Sequence, residues 1–285
     1  MLFLVLAIVC SVLISVGMRV SERYSKNTMA MFAANYAVCL MLSRGFMGRI
    51  HLFEAQAGIG AAIGMGLVSG VLYLVSFMLL QKNIHESGVV LSSASMKLGA
   101  VLIPVIVSLI FFHENMNGWQ TAGVITAVAA ILMIHLEKDS FRAGEMKAGL
   151  LLLLLCSGIT DTMANLYDKM GEAALRDHYL FFTFLAALVL ALAAALRSRQ
   201  KLRAADLICG LLIGIPNYFS SRFLLLALGE IPAVVAYPVF SAGTIIMVAL
   251  IGLAVFHERL SPRKACAMAL ILAALGLLNA GRFIG

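Results

Sequence analysis

Gly66-Leu67-Val68-Ser69-Gly70 recurs 144 residues later as Gly210-Leu211-Leu212-Ile213-Gly214. Outward from this pair, Glu86, Val90, Gly99 and Phe112-His113-Glu114 recur at the same offset as Glu230, Val234, Gly243 and Phe256-His257-Glu258. The repeat is carried by glycines and by polar residues that would stand at helix ends. The chain around it has a mean hydropathy of +1.00. Together these point to a duplicated bundle of transmembrane helices.

Composition narrows the class further. Hydrophobic residues make up 62% and charged residues 12% of the chain, too little charge to solvate a soluble domain of this length. The net charge of +7 comes from basic residues in short connections between apolar runs. There they orient a chain in a bilayer and give no reason to expect nucleic acid as a partner. Cys10, Cys39, Cys156, Cys209 and Cys266 are far apart in apolar stretches, so neither a metal site nor a disulfide framework is expected. The N-terminus lacks a basic stretch before its first apolar run, which is therefore expected to be kept as a helix.

A helix needs about 20 apolar residues to span the hydrocarbon core. Ten such runs can be marked: Leu2 to Val20, Thr28 to Ser43, Gly58 to Leu80, Gly88 to Phe112, Gly118 to Leu136, Ala148 to Asp168, Tyr179 to Leu196, Ala205 to Leu228, Ala233 to Phe256 and Pro262 to Ala280. None shows the alternation of a strand. The expected fold is an all-α integral membrane protein of ten transmembrane helices. Residues 1–136 form one five-helix repeat, 137–147 an inter-repeat loop, and 148–285 the second repeat. Five is odd, so the repeats should be inverted relative to one another. The homologous loops agree, because Asn115, Trp119 and Gln120 of the first stand where the second has Arg259, Arg263 and Lys264. Counted with the basic residues at their edges (Arg19, Arg263 and Lys264), the connections after odd-numbered spans hold 14 Lys and Arg, against five in the others and the C-terminus. That bias places the odd connections in the cytoplasm and both termini outside.

Tyr237-Pro238-Val239-Phe240-Ser241, then Phe256-His257-Glu258-Arg259-Leu260-Ser261-Pro262, then a small-residue helix through Ala273-Ala274-Leu275-Gly276 resemble the closing helices of the EamA-like branch of the drug/metabolite transporter superfamily. In the first repeat Glu114 is followed nine residues later by Gly123, as in that family, whereas the second has Ala267 there. Glycine normally precedes the glutamate in the family; both copies here have His. The resemblance implies a ten-helix inverted-repeat carrier of the cell inner membrane, with a central cavity, alternating access and a small metabolite as cargo, often exported. Amino acids are common cargoes among bacterial relatives. Family members are usually drawn with both termini in the cytoplasm, opposite to the charge bias.

The candidate site residues are polar groups at membrane depth. A charge at mid-membrane costs about 2.5 to 3.5 kcal/mol on insertion scales, so it should face a polar cavity, pair or snorkel. Lys97 lies near the middle of span four, with Ser92, Ser93 and Ser95 on its N-terminal side and Ser241 at the matching position of the second repeat. It reads as a cation for a substrate carboxylate or phosphate, or as a lysine paired inside the bundle. Asp161 lies deep in span six, with Asn165 and Asp168 at i+4 and i+7 on the same helical face. It reads as a partner for Lys97 or Arg222, a proton carrier, or a seat for a substrate ammonium; Asp168 reads as a solvated helix end. Arg222 follows Pro216-Asn217-Tyr218-Phe219-Ser220-Ser221, where proline suggests a broken or kinked helix beside a binding site. It reads equally as an anion clamp and as a structural anchor. Asn217 and Tyr218 are cavity-lining candidates by depth, and Asn35 and Tyr36 weaker ones. Gly66/Gly70 and Gly210/Gly214 read as helix-packing faces, the paired His-Glu motifs as helix-end groups, and Trp119 as an interfacial anchor.

These residues point to a secondary transporter of a small zwitterionic or anionic metabolite, with proton or ion coupling and no bound cofactor, working as a monomer or homodimer. A lipid or head-group flippase, cationic drug efflux and, last, an intramembrane enzyme are the alternatives. The chain has no clustered catalytic residues and no phosphate-binding loop, so enzymatic and ATP-driven readings are disfavoured.

Overall fold

The computed structural model describes residues 2–47, 57–111, 118–119, 121–123, 125–126, 129, 141–198, 200–230, 233–257 and 262–280. Within them the regular elements are helical. They are α1 (Leu2–Tyr24), α2 (Thr28–Phe46), α3 (Ile59–Ser87), α4 (Val89–Phe111), α5 (Phe141–Met170), α6 (Arg176–Ser198), α7 (Ala204–Glu230), α8 (Ala233–Ala254) and α9 (Pro262–Ala280), with a 3-10 turn at Ala173–Leu175 before α6. The motif around His113-Glu114, the segment from Glu258 to Ser261 and most of span five lie outside the described residues.

Among the described residues six segments are long and apolar enough to cross a membrane: Leu2–Tyr24, Thr28–Phe46, Ile59–Ser87, Ala148–Met170, Ala173–Ser198 and Ala204–Glu230; Val89–Pro104 and Val239–Ala254 are shorter apolar helices. Their surfaces follow membrane rather than aqueous logic. On α1 the exposed stripe is Leu2, Val5, Val9 and Leu13, while the buried stripe includes Ser11 and Ser15. Without a hydrophobic drive between helices in lipid, small and polar residues turn inward and large aliphatic ones outward.

Local sequence explains the helix limits. Asn27 caps α2 by accepting from Ala30 N at 3.0 Å, satisfying one of the orphan donors of the first turn. Only one residue, Gly88, separates α3 from α4, and it takes φ +86° while its N–H donates to Ile84 O at 3.0 Å. That left-handed link favours glycine. His257 follows α8 with φ 50°, in keeping with a helix-end role. Two expectations change. Helix α5 begins at Phe141, seven residues before the Ala148 start of span six, so part of the polar stretch is helical. Helix α7 runs through Pro216 without a break, which removes the broken helix and leaves the kinked one, since proline removes one helical hydrogen bond without ending a long helix.

The chain forms two compact units, one of residues 1–78 with 163–230 and the other of 79–162 with 231–285. Each draws on both halves of the sequence. In the first unit α1 and α2 both pack on α7, and α2 on α6. In the second, α4 and α9 both pack on α8.

Glycines set the closest approaches of the first unit, and they do so twice in the same way. A Cβ at Gly66 would stand 2.9 Å from both Tyr179 O and Phe182 Cβ, and one at Gly70 would stand 2.3 and 2.6 Å from Thr183 O and Ala186 Cβ. A Cβ at Gly210 would stand 2.2 and 2.7 Å from Met31 O and Ala34 Cβ, and one at Gly214 2.7 and 2.9 Å from Asn35 O and Val38 Cβ. So α3 lies against α6 as α7 lies against α2. Positions 31, 34, 35 and 38 map onto 179, 182, 183 and 186 at a constant offset of 148, one helical turn more than the 144 that relates the glycines themselves. The two glycine pairs thus make the same kind of contact with exchanged partners.

Candidate functional site

The polar residues at membrane depth fall into two groups, one in each compact unit. In the second unit α4 carries Lys97, which is 6% exposed. Its ammonium lies 3.9 Å from the centroid of the Phe240 ring on α8, a cation–π contact that partly replaces lost hydration. Among the described residues no carboxylate stands within ion-pair distance of Lys97 Nζ. Asp161 on α5 is near enough for the two groups to feel each other's charge, and its backbone carbonyl accepts from Tyr237 Oη of α8 at 2.9 Å. Helices α4 and α5 meet where Gly99 abuts Leu154 O, at 2.0 Å from an added Cβ. Ser157 Oγ donates across the same seam to Met96 O at 3.0 Å.

Two serines complete the group. Ser95 is buried on α4. Ser241, the residue at the position matching Lys97, is fully buried, and its hydroxyl finds no hydrogen-bond partner among the described residues. The site thus holds a buried ammonium, a hydroxyl and a carboxylate, none of them in a direct ion pair among the described residues.

The first unit holds the other predicted residues. Asn217 on α7 donates to Asn35 Oδ1 on α2 at 3.2 Å, and both side chains are buried. Beside them Cys39 Sγ donates to Gly214 O at 3.3 Å. Rings crowd the same region. Tyr36 stacks with Phe184 at 6.4 Å, Phe184 contacts Tyr218 at 6.2 Å, and Tyr73 stacks with Phe77 at 5.8 Å. Tyr73 Oη and Ser221 Oγ share a hydrogen bond of 2.5 Å. Asn35 Nδ2, Tyr36 Oη and Tyr218 Oη are buried without partners among the described residues, an unusual density of unspent polar groups in one core. Asn165 is buried on α5 in this same unit.

Arg222 is engaged here. Its Nε and Nη2 donate to Asp177 Oδ1 and Oδ2 at 2.9 and 3.2 Å, and its guanidinium lies 4.1 Å from the centroid of the Phe46 ring. The planar fork matches a carboxylate in this bidentate manner. Next to it Arg176 Nη2 donates to Asp168 Oδ1 at 2.5 Å, so Asp168 is ion-paired, whereas the sequence suggested a solvated helix end. Consecutive residues Arg176 and Asp177, opening α6, therefore tie down the end of α5 and the middle of α7. Asp177 was not singled out in the sequence; its acidic place in a first helical turn was the available signal.

A third polar centre also escaped the sequence reading. Asp206, 0% exposed, accepts from Ser25 Oγ at 2.9 Å, Lys26 N at 2.8 Å, Asn27 N at 3.1 Å and Arg203 N at 3.0 Å. It binds the α1–α2 connection to the start of α7. Its presence in the first turn of an otherwise apolar helix was the sequence signal, legible as a cap but not as a cross-link.

Comparison with known proteins bears on the class. Residues 177–271 match the family model of the small multidrug resistance proteins. An uncharacterized protein of Haemophilus influenzae is 24% identical over 268 residues, covering 90% of this chain and 90% of its own. A solved crystal structure of a protein with 11% sequence identity superimposes with a TM-score of 0.65, covering 100% of this chain and 98% of that one, a likeness of fold. The family match and the apolar helices indicate a multi-pass membrane protein of transporter type.

Proposed function

We propose that the chain is a secondary transporter of a small zwitterionic metabolite such as an amino acid, acting as an exporter in the cell inner membrane. The observation that carries this reading is Lys97, an ammonium buried on the Phe240 ring with no carboxylate at ion-pair distance among the described residues. A buried charge held in that condition calls for an anion supplied from outside the protein. A substrate carboxylate meets Lys97, and Asp161 receives the substrate ammonium or exchanges a proton with it. Ser95 and Ser241 contribute hydroxyls to the same solute. Within the first unit, Asn165, Asn217, Tyr218 and Arg222 are the residues proposed to contact substrate, Arg222 while bound to Asp177.

Transport proceeds by alternating access between two inverted five-helix repeats, 1–136 and 148–285, joined through 137–147. The exchanged glycine contacts support this relation between the halves. In this reading the chain is a carrier of the EamA-like type that works as a monomer or homodimer. Cationic drug efflux is the second reading, and the small multidrug resistance match over residues 177–271 favours it. In that case Asp161 is the principal ligand and Lys97 holds the site when it is empty. A head-group flippase would use the same charges.

The test is the melting temperature of the purified chain with panels of amino acids, organic anions, cationic drugs and lipid head groups, since a ligand of the folded state raises it. Stabilisation by one amino-acid class, lost in Lys97→Ala and followed by counterflow of that solute in proteoliposomes, is expected. Stabilisation by cations alone, unaffected by Lys97→Ala and lost in Asp161→Asn, replaces this reading with drug efflux.

A further inference from the structure

The connections α1–α2 and α6–α7 of the first unit meet as one face. Besides the three donors that residues 25–27 give to Asp206, Asn27 Nδ2 donates to Gln200 O at 3.4 Å. Around this seam Arg23, Lys26, Arg197, Lys201 and Arg203 are exposed. Among the described residues none of the five is in an ion pair. The acids nearby are already engaged: Glu22 with Arg19, and Asp206 in four hydrogen bonds beneath the surface. Between the cations stand three large exposed apolar residues, Tyr24 at 60%, Leu196 at 80% and Leu202 at 62%.

Orientation of a membrane protein needs only the charge of such loops, wherever it falls. This face has two further features: the backbone at Lys26 and at Arg203 is tied together by the buried Asp206 carboxylate, and the cations alternate with apolar groups at the helix ends. Phosphate wants the first, and the glycerol and upper acyl region of a lipid wants the second. We propose that this face is a binding site for the head group of an anionic phospholipid. Its phosphate meets Arg23, Lys26, Lys201 and Arg203, and its glycerol region rests on Tyr24, Leu196 and Leu202. A free phosphate would use the cations but gain nothing from the apolar residues.

The experiment titrates phosphatidylglycerol, phosphatidylcholine, inorganic phosphate and glycerol phosphate separately into the full chain in one detergent, following the melting temperature. Phosphatidylglycerol is expected to raise it and the other three to leave it unchanged. In the variant R23Q/K26Q/K201Q/R203Q the phosphatidylglycerol midpoint should weaken by about fivefold per cation removed, taking each as worth about 1 kcal/mol near a charged surface. Arg44→Gln, exposed at the far end of α2, should leave the midpoint in place. Equal shifts with the two lipids, or an unchanged midpoint in the quadruple variant, overturn the proposal; an equal shift with inorganic phosphate overturns the lipid as occupant. Should the quadruple variant fail to purify folded, retention of phosphatidylglycerol by Lys201→Gln and Arg203→Gln in native mass spectrometry carries the same decision.

Discussion

At the level of single residues, the two carboxylates that matter most to the fold of the first unit are Asp206 and Asp177. Asp206 is acceptor to four donors on two connections, and three of them are backbone N–H groups with no helical partner at these positions. Asp206→Ala strips all four at once. A loss of about 2 to 4 kcal/mol is expected, as for other broken buried networks. Asp206→Asn keeps one acceptor oxygen and should recover part of it; equal melting temperatures for Asp206→Ala and the unmodified chain would remove Asp206 from this role. Arg222→Lys should not substitute for Arg222, because an ammonium cannot repeat the two parallel bonds to Asp177 or the stacking on Phe46. A fall in stability of about 1 to 2 kcal/mol, read by thermal melting, is the expected sign of that difference. The sequence disclosed Lys97, Asp161 and Arg222 readily, since an ionisable residue in an apolar run is costly enough to need a reason. It did not disclose the partners that Arg222 and Asn217 bond. Asp177 is 45 positions from Arg222 and Asn35 is 182 from Asn217, separations over which no periodicity operates.

Helices were the easiest level to read, and the glycines show why. A glycine in an apolar helix is a weak signal alone, but Gly66/Gly70 and Gly210/Gly214 are informative as equivalents. Each pair proved to be a point where one helix meets the backbone of another. Gly60 and Gly64 of the same helix have nothing within 4 Å of an added Cβ. This contrast sets a prediction for α3 and α7. Gly70→Ala and Gly210→Ala, whose methyl groups would lie 2.3 and 2.2 Å from carbonyl oxygens of the facing helix, force the helices apart and should each cost about 1 to 3 kcal/mol. Gly64→Ala should be neutral or slightly stabilising, because it relieves the backbone entropy of glycine without a clash. Equal melting temperatures for Gly64→Ala and Gly70→Ala would mean that α3 does not sit on α6 as described. Helix limits were less legible. The early start of α5 at Phe141 is hidden by a polar stretch that looks like a loop, and the continuity of α7 past Pro216 depends on packing that a proline-based reading leaves out.

For the whole chain the question is how many times it crosses the membrane, and the hydrogen bonds of Asp206 constrain the answer through parity. The connections at residues 25–27 and 200–203 are joined by Asp206 and by the Asn27–Gln200 bond, so they lie on one side of the bilayer. An even number of crossings must separate them. Five described helices, α2 to α6, lie between. If each crosses once, a sixth crossing is required, and Gly118 to Leu136 is the apolar run available to supply it. On that condition, and with α1, α7, α8 and α9 each crossing once as well, the count would be ten and the second set of five would be turned over relative to the first, as the proposed transport cycle requires. Charge already argued for this, since both connections belong to the basic class. In a variant lacking the five native cysteines, Lys26→Cys and Lys201→Cys should react with a membrane-impermeant maleimide from the same side. Arg44→Cys, at the other end of a 19-residue helix of about 28 Å, should react from the opposite side. A cysteine at Asn117 and one at Lys138 should label from opposite sides if the sixth crossing is real. Labelling of both from one side would remove the fifth span, and with it the inverted repeat on which alternating access depends.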